Sequence, residues 1–264
     1  MRTSELNGAG VVVTGAGAGI GAALARGFAA AGARVVVNDI DVGAAKPVAR
    51  DVGGSAVVGD MSDPEFPRQL VATSLAELGR IDLFCGNAGV FGRGGPELGD
   101  SVWDRQWQIN VMAHVRSFRE LLPMWEASRK GHYLMTVSAT GLLSRIGDAP
   151  YATTKHAAQG LAEWLHFTYA HLGVTVQSLC PRAVVAARQP QEGGQPETSA
   201  ELDVVTPENV AGCVLANLGG PFLILPHPEV ADYFAFRAAQ PDAWLERRSE
   251  ESRRLAESEL PPVD

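Results

Sequence analysis

The chain has 264 residues and a formal net charge of −8, an acidic balance that argues against a nucleic-acid or anionic-membrane partner, since either calls for a basic surface. With 46% hydrophobic and 20% charged residues, it has the composition of an ordinary soluble globular protein, long enough for one large α/β domain or two small ones. Cys85, Cys180 and Cys213 are widely spaced and form no Cys-x-x-Cys pair, so neither a disulfide framework nor a zinc site is indicated. No apolar leader opens the chain, and no run approaches the ~18 apolar residues of a membrane span, so a cytoplasmic location is expected.

Short apolar runs at 10–14, 34–38, 55–58, 81–85, 132–138, 174–180 and 222–225 predict strands. Segments between them, including 19–31, 63–78, 101–128 and 150–171, carry apolar residues at helical spacing. That alternation implies an α/β fold built on a doubly wound parallel sheet with helices on both faces. About seven strands use nearly the whole length, so residues 1–264 read as a single domain. Two regions break the rhythm. Residues 182–205 include the breaker-rich Gln189-Pro190-Gln191-Glu192-Gly193-Gly194-Gln195-Pro196 and read as a substrate lid, ending where a helix starts at Thr206-Pro207. After Pro226, two helical patterns divided by Pro241 form a C-terminal extension over 227–258, the second dense in mixed charge as a solvated helix face is.

Val11-Val12-Val13-Thr14-Gly15-Ala16-Gly17-Ala18-Gly19-Ile20-Gly21 passes from a strand through glycines into a helix. Such a turn lets the backbone approach a pyrophosphate, which free N–H groups and the positive end of the helix then hold, making the fold Rossmann-like. The spacing is Gly-x-x-x-Gly-x-Gly rather than Gly-x-Gly-x-x-Gly. Asp39, after the second strand, is placed to accept hydrogen bonds from adenosine ribose hydroxyls and to repel a 2′-phosphate, and Ala18 and Ile40 add no positive charge. This favours NAD over NADP; the alternative is that Asp39 caps the next helix.

Tyr151 and Lys155 stand four residues apart in a predicted helix, on one face, with Ser138 thirteen residues upstream of Tyr151. A free phenol ionises near pH ~10, too high for easy proton exchange at neutrality, and a neighbouring ammonium lowers that value. Ser138 is placed to hold the oxygen that gains or loses the proton.

Through residue 225 the chain resembles the short-chain dehydrogenase/reductase family. The resemblance rests on Thr14-Gly15-x-x-x-Gly19-Ile20-Gly21, Asp60 after the third strand, Asn87-Ala88-Gly89 after the fourth, Asn110 in a helix, Ser138 after the fifth, and Tyr151-x-x-x-Lys155. It implies that Tyr151 is the general acid/base, that Lys155 lowers its pKa and holds the nicotinamide ribose, that Ser138 orients the substrate oxygen, and that Asn110 holds a relay water. It further implies Asp60 on the adenine amino group with Met61 beside the ring, and Asn87, Ala88 and Gly89 against the cofactor. Dimers or tetramers are expected by the same resemblance, with His114, Trp103 and Trp107 in helix packing or the subunit interface. No metal is called for.

The chain departs from that pattern after the sixth strand. The family's Pro-Gly with a threonine four residues on is replaced by Pro181-Arg182-Ala183-Val184-Val185-Ala186. The carboxamide contact then passes to backbone near Val184 or to another side chain, and Arg182 points either to solvent or towards substrate or phosphate. Gly86 replaces the first asparagine of the usual Asn-Asn-Ala-Gly, and His227 sits between two prolines, in a structural turn or reaching a neighbouring subunit. The expected function is an NAD-dependent oxidoreductase interconverting a hydrophobic secondary alcohol and a ketone. The alternatives are an NAD(H)-binding regulator or scaffold with little turnover, and a reductase of a C=C or C=N bond.

Overall fold

The computed structural model describes residues 1–184 and 204–258. Seven strands, β1 (Gly10–Val13), β2 (Arg34–Asp39), β3 (Ser55–Val58), β4 (Leu83–Gly86), β5 (Gly131–Thr136), β6 (Val174–Leu179) and β7 (Leu223–Ile224), form one sheet in the order β3-β2-β1-β4-β5-β6-β7. Every pairing is parallel. A parallel sheet is covered on both faces, so its strands are continuously apolar, as in the fully buried Val11-Val12-Val13 and Leu83-Phe84-Cys85.

The period-2 alternation of side chains sorts these strands into two cores. Towards one face, Val11, Val13, Val35, Val37, Leu83 and Leu179 pack with Leu24 and Phe28 of α1 (Gly19–Ala30), Val48 of α2 (Val42–Asp51) and Val210 and Val214 of α8 (Pro207–Asn217). Towards the other, Val12, Phe84, Tyr133, Met135 and Val176 meet α3 (Phe66–Leu78), α5 (Ala113–Ser128) and α7 (Ala149–Tyr169) through Leu70, Leu121, Trp125 and Leu165. The C-terminal helices α9 (Glu229–Ala239) and α10 (Pro241–Ser258) join this second core through Val230 and Trp244.

Three local differences from the sequence reading matter. The predicted helix 101–128 is α4 (Asp100–Trp107), a π-helical turn over Gln108–Met112, and α5; a π turn inserts one residue into the helical register and is frequent at functional sites. The fifth strand stops at Thr136 because Ser138 takes a φ of 96° and a short helix, α6 (Thr140–Leu143), follows. Asp41, not Asp39, caps α2, its carboxylate accepting from Gly43 N at 2.7 Å. Most of the lid read over 182–205 lies outside the described residues, and Ala186 with it.

Candidate active site

The strand order reverses between β1 and β4, and in open parallel sheets ligands bind at the carboxyl ends of strands at such a point. The turns that follow β1 and β4 are stitched together there by Thr14. Its hydroxyl accepts from Asn87 N and Ala88 N at 2.9 and 3.0 Å and donates to Cys85 O, while Asn87 Nδ2 returns to Thr14 O and Gly15 O at 3.0 and 3.2 Å. Gly15 has a φ of 60°, and a Cβ on it would sit 2.8 Å from Ala88 Cα. A Cβ on Gly21 would meet Gly15 O at 2.2 Å, so α1 can lie this close to the turn only with glycine there.

Ala18 at the N-cap of α1 offers no side-chain acceptor, leaving first-turn N–H groups for another acceptor. Gly19, with a φ of 54°, faces open space. Asp39 Oδ2 accepts from Gly17 N at 2.9 Å and Oδ1 from Asp41 N at 3.0 Å, which fixes the carboxylate at the rim of the glycine turn. An uncapped helix end beside an open glycine turn and a fixed acid fits the pyrophosphate and ribose of a dinucleotide. Asp60 accepts from Ser62 N at 2.8 Å and lies 4.0 Å from Arg105, and Met61 is buried in the core. Ile20 is half-buried on the first turn of α1.

The second group of residues lies along β5 and α7. Asp148 caps α7, accepting from Tyr151 N, and its other oxygen accepts from Gly92 N, both at 3.1 Å; this ties the turn after β4 to the start of the helix. From α7, Lys155 reaches inward, 3% exposed, and its ammonium donates to Thr136 O at 3.0 Å. Thr136 Oγ1 donates to Asn87 Oδ1 at 3.1 Å, so one β5 residue positions both Lys155 and Asn87. Asn110, on the π turn, is fully buried. Its amide pairs with both backbone groups of Val90 at 2.9 and 2.8 Å and donates to Thr154 Oγ1 at 3.0 Å. A Cβ on Gly89 would lie 3.3 Å from Asn110 Oδ1 and 3.4 Å from Lys155 Nζ, which places that turn against both side chains.

Ser138 bends back from β5 so that its hydroxyl donates to Pro181 O at 3.4 Å and accepts from Thr140 N at 3.2 Å. A non-glycine residue at that φ stores backbone strain of the kind that clusters at ligand sites. Ser138 also hydrogen-bonds the Tyr151 phenol. The phenol is nevertheless pushed above its ordinary pKa by burial, which outweighs Ser138 and the positive charge of Arg145. Lys155 Nζ sits 5.5 Å from the Tyr151 ring centroid and is itself lowered to about 8 by burial. In this geometry desolvation is the largest effect on the phenol.

The sequence stretches Thr14–Gly21, Asn87–Gly89, Asn110, Ser138 and Tyr151–Lys155 thus meet at one end of one sheet. A model of the short chain dehydrogenase family matches residues 9–195. The chain belongs to the short-chain dehydrogenase family. Among relatives of this family, a 1-deoxy-11-beta-hydroxypentalenate dehydrogenase of Streptomyces exfoliatus is 38% identical over 221 residues, 79% of this chain and 78% of that protein. A hydroxyacyl-CoA dehydrogenase of Mycobacterium tuberculosis is 31% identical over 259 residues, 87% of this chain and 80% of that one. A short-chain dehydrogenase/reductase from Burkholderia phymatum, solved with NAD, superposes with a TM-score of 0.79 at 26% identity, covering 90% of this chain and 96% of that one. A metagenomic short-chain oxidoreductase solved with NADP gives 0.71 at 27% identity, covering 83% and 96%.

The departures from the family pattern have physical counterparts. A Cβ on Gly86 would meet His114 Nδ1 at 2.6 Å and Tyr133 Oη at 2.8 Å, so the space of the usual asparagine is taken by a buried histidine–tyrosine pair, itself 3.2 Å apart. Trp107 is partly exposed on α4. Arg182 points neither freely to solvent nor to the glycine turn: it reaches Glu229 at 3.4 Å and lies over the Tyr233 ring, 5.3 Å from its centroid. Val184 pairs with Val205 in an isolated parallel bridge. Sequence reading passed over Thr136, Thr154 and Asp148, and also Phe91, whose ring meets Tyr151 edge-on at 6.1 Å. An open groove of about 410 Å³ beside Phe91 is lined from the 90–91 turn and α4 and includes none of Ser138, Tyr151 or Lys155.

Proposed function

We propose that the protein is an NAD-dependent oxidoreductase that interconverts a secondary alcohol and a ketone, with Tyr151 as general acid/base. The observation that carries this reading is the convergence of the Ser138 and Tyr151 hydroxyls beside Lys155, where β5 ends and α7 begins. NAD held there would supply the acceptor for a hydride from the carbinol carbon. The protein's part is the proton and the geometry. Ser138 holds the substrate oxygen, Tyr151 receives the hydroxyl proton as the C–H bond breaks, and in reduction the phenol returns it to the carbonyl oxygen.

Lys155 adds positive charge near the phenol and donates to Thr136 O, and Asn110 anchors the turn after β4 through Val90 and is the proposed seat of a relay water. Gly15, Ala18, Gly19, Ile20 and Gly21 would cradle the pyrophosphate, and Asp60, Met61, Asn87, Ala88, Gly89 and Val184 would line the rest of the cofactor cleft. Asp39 would accept from ribose hydroxyls and disfavour a 2′-phosphate, which is the basis for NAD over NADP. The names of the two relatives, both dehydrogenases of hydroxylated compounds, support a CH–OH donor over a C=C or C=N bond. A single domain assembled as a dimer or tetramer belongs to the same proposal. Cofactor absorbance followed against a panel of secondary alcohols and ketones tests it. Tyr151→Phe should lower kcat by about 10²–10⁴-fold, the range of general acid–base catalysis, while NADH binding persists; a variant that turns over normally would refute the role.

A further inference from the structure

The C-terminal extension enters the site through His227. The residue lies between Pro226 and Pro228, is 1% exposed, and directs its ring at the backbone that leaves β6. Nδ1 accepts from Arg182 N at 3.2 Å, and Nε2–H donates to Ala183 O at 2.9 Å. Ala183 N lies 3.3 Å from the same Nε2, so one imidazole spans the polar groups of two successive residues. Ala183 O also accepts from Val205 N at 3.1 Å, inside the Val184–Val205 bridge. The other end of Arg182 is held from the same extension by Glu229 and Tyr233. Upstream, Pro181 O receives the Ser138 hydroxyl. The stretch 181–184 is therefore fixed on one side by Ser138 and on the other by His227.

We infer that His227 is a positioning residue for the nicotinamide end of the cofactor site: its two hydrogen bonds set the path of the Arg182–Val184 backbone. The inference rests on the dinucleotide reading above. The chain has neither the glycine nor the threonine of the family pattern after Pro181, and an external anchor fulfils the need for a fixed backbone. A buried ring that accepts from one peptide group and donates to the next removes the freedom of that segment before ligand arrives, and preorganisation of this kind shows in affinity.

The test compares two probes on the intact protein, NADH and ADP-ribose, the second lacking the nicotinamide. His227→Phe keeps a planar ring of similar bulk and removes both hydrogen bonds. Loss of both bonds predicts NADH binding weakened by about tenfold or more, with ADP-ribose affinity held within about threefold. His227→Gln, which offers one acceptor and one donor, should restore most of the NADH affinity. Equal weakening of both probes, or no weakening of either, would overturn the inference. Should His227→Phe not fold, His227→Asn, too short to span both groups, carries the same comparison; failure of both to fold would assign His227 to global stability and also overturn it. Wild-type protein that binds neither probe would instead refute the dinucleotide reading itself.

Discussion

Burying the Lys155 ammonium costs free energy, and the lowering of its pKa from 10.5 to about 8 is a measure of that cost. The folded state disfavours the charged form, so the penalty is complete below pH 8, shrinks as pH rises towards 10.5, and is gone above that. At ~1.4 kcal/mol per pH unit it amounts to about 3 kcal/mol at neutrality. Lys155→Met, similar in length and without charge, should therefore be more stable than wild type at pH 7 by about 2 kcal/mol after the lost bond to Thr136 O is counted, while turnover falls. Urea unfolding of the two proteins at pH 7 and pH 10 reads this directly: the advantage of the variant should narrow at the higher pH, and a less stable variant at pH 7 would contradict it. Tyr151 carries the opposite consequence for direction. Burial holds the phenol protonated, so ketone reduction has its proton ready, whereas alcohol oxidation needs the phenolate. The oxidation rate should climb with pH through the alkaline range and the reduction rate should fall, and pH–rate profiles in both directions check the pair.

At the scale of elements, the start of α7 governs where Tyr151 sits. Asp148 is 2% exposed, and its two oxygens each accept from a different segment, Tyr151 N in the helix and Gly92 N in the turn after β4. Burial raises its pKa, against the hydrogen bonds from Tyr151 and Gly92 that lower it. Asp148→Ala should cost about 2 kcal/mol, the upper end for a lost cap, because the Gly92 N–H is stranded as well. Asp148→Asn should recover little, since an amide presents a donor where the second N–H already donates. Both variants should lower kcat more than they weaken NADH binding; equal stability of Asp148→Asn and wild type in thermal unfolding would show that one oxygen suffices. Asp148 was not legible in the sequence because an aspartate before Ala-Pro reads only as a local cap, and its second partner is 56 residues away. The same holds for Thr136, whose hydroxyl and carbonyl partners come from other elements, and for Thr154, whose hydroxyl accepts from Asn110 on the π turn. By contrast the glycine turn and the Tyr151–Lys155 pair follow from short-range geometry, and their spacing marks them once the strand before and the helix after the turn, and Ser138 upstream of the pair, supply the context.

Over the whole molecule, the two cores that cover the sheet also bury titratable groups. His114 and His132 are both lowered to about 3, chiefly by burial. A histidine whose folded pKa lies below its unfolded value contributes no penalty above the unfolded pKa of ~6.5 and destabilises progressively as pH falls below it. By pH 5 each should cost about 2 kcal/mol, so stability should drop steeply between pH 7 and 5. His132→Leu, in the interior of β5, should remove about half of that loss; urea unfolding at the two pH values measures it, and an unchanged loss would show that other groups drive acid unfolding.

The alternation of strands and helices, the glycine turn after the first strand and the placing of Tyr151 and Lys155 on one helix face were set by the sequence alone, because apolar period, glycine placement and helical spacing act over a few residues, whereas Asn110 and the Asn87–Gly89 turn entered through the family resemblance. Tertiary structure decided the rest. It tied Asn87 to Thr14 and Thr136, turned Arg182 towards Glu229 and Tyr233, and set His227 on the backbone of Arg182 and Ala183. It also buried the Tyr151 phenol, which raises its pKa. The reason is common to all four: hydrogen-bond partners from distant segments and the removal of water depend on what the fold brings together, and neither leaves a local pattern in the chain.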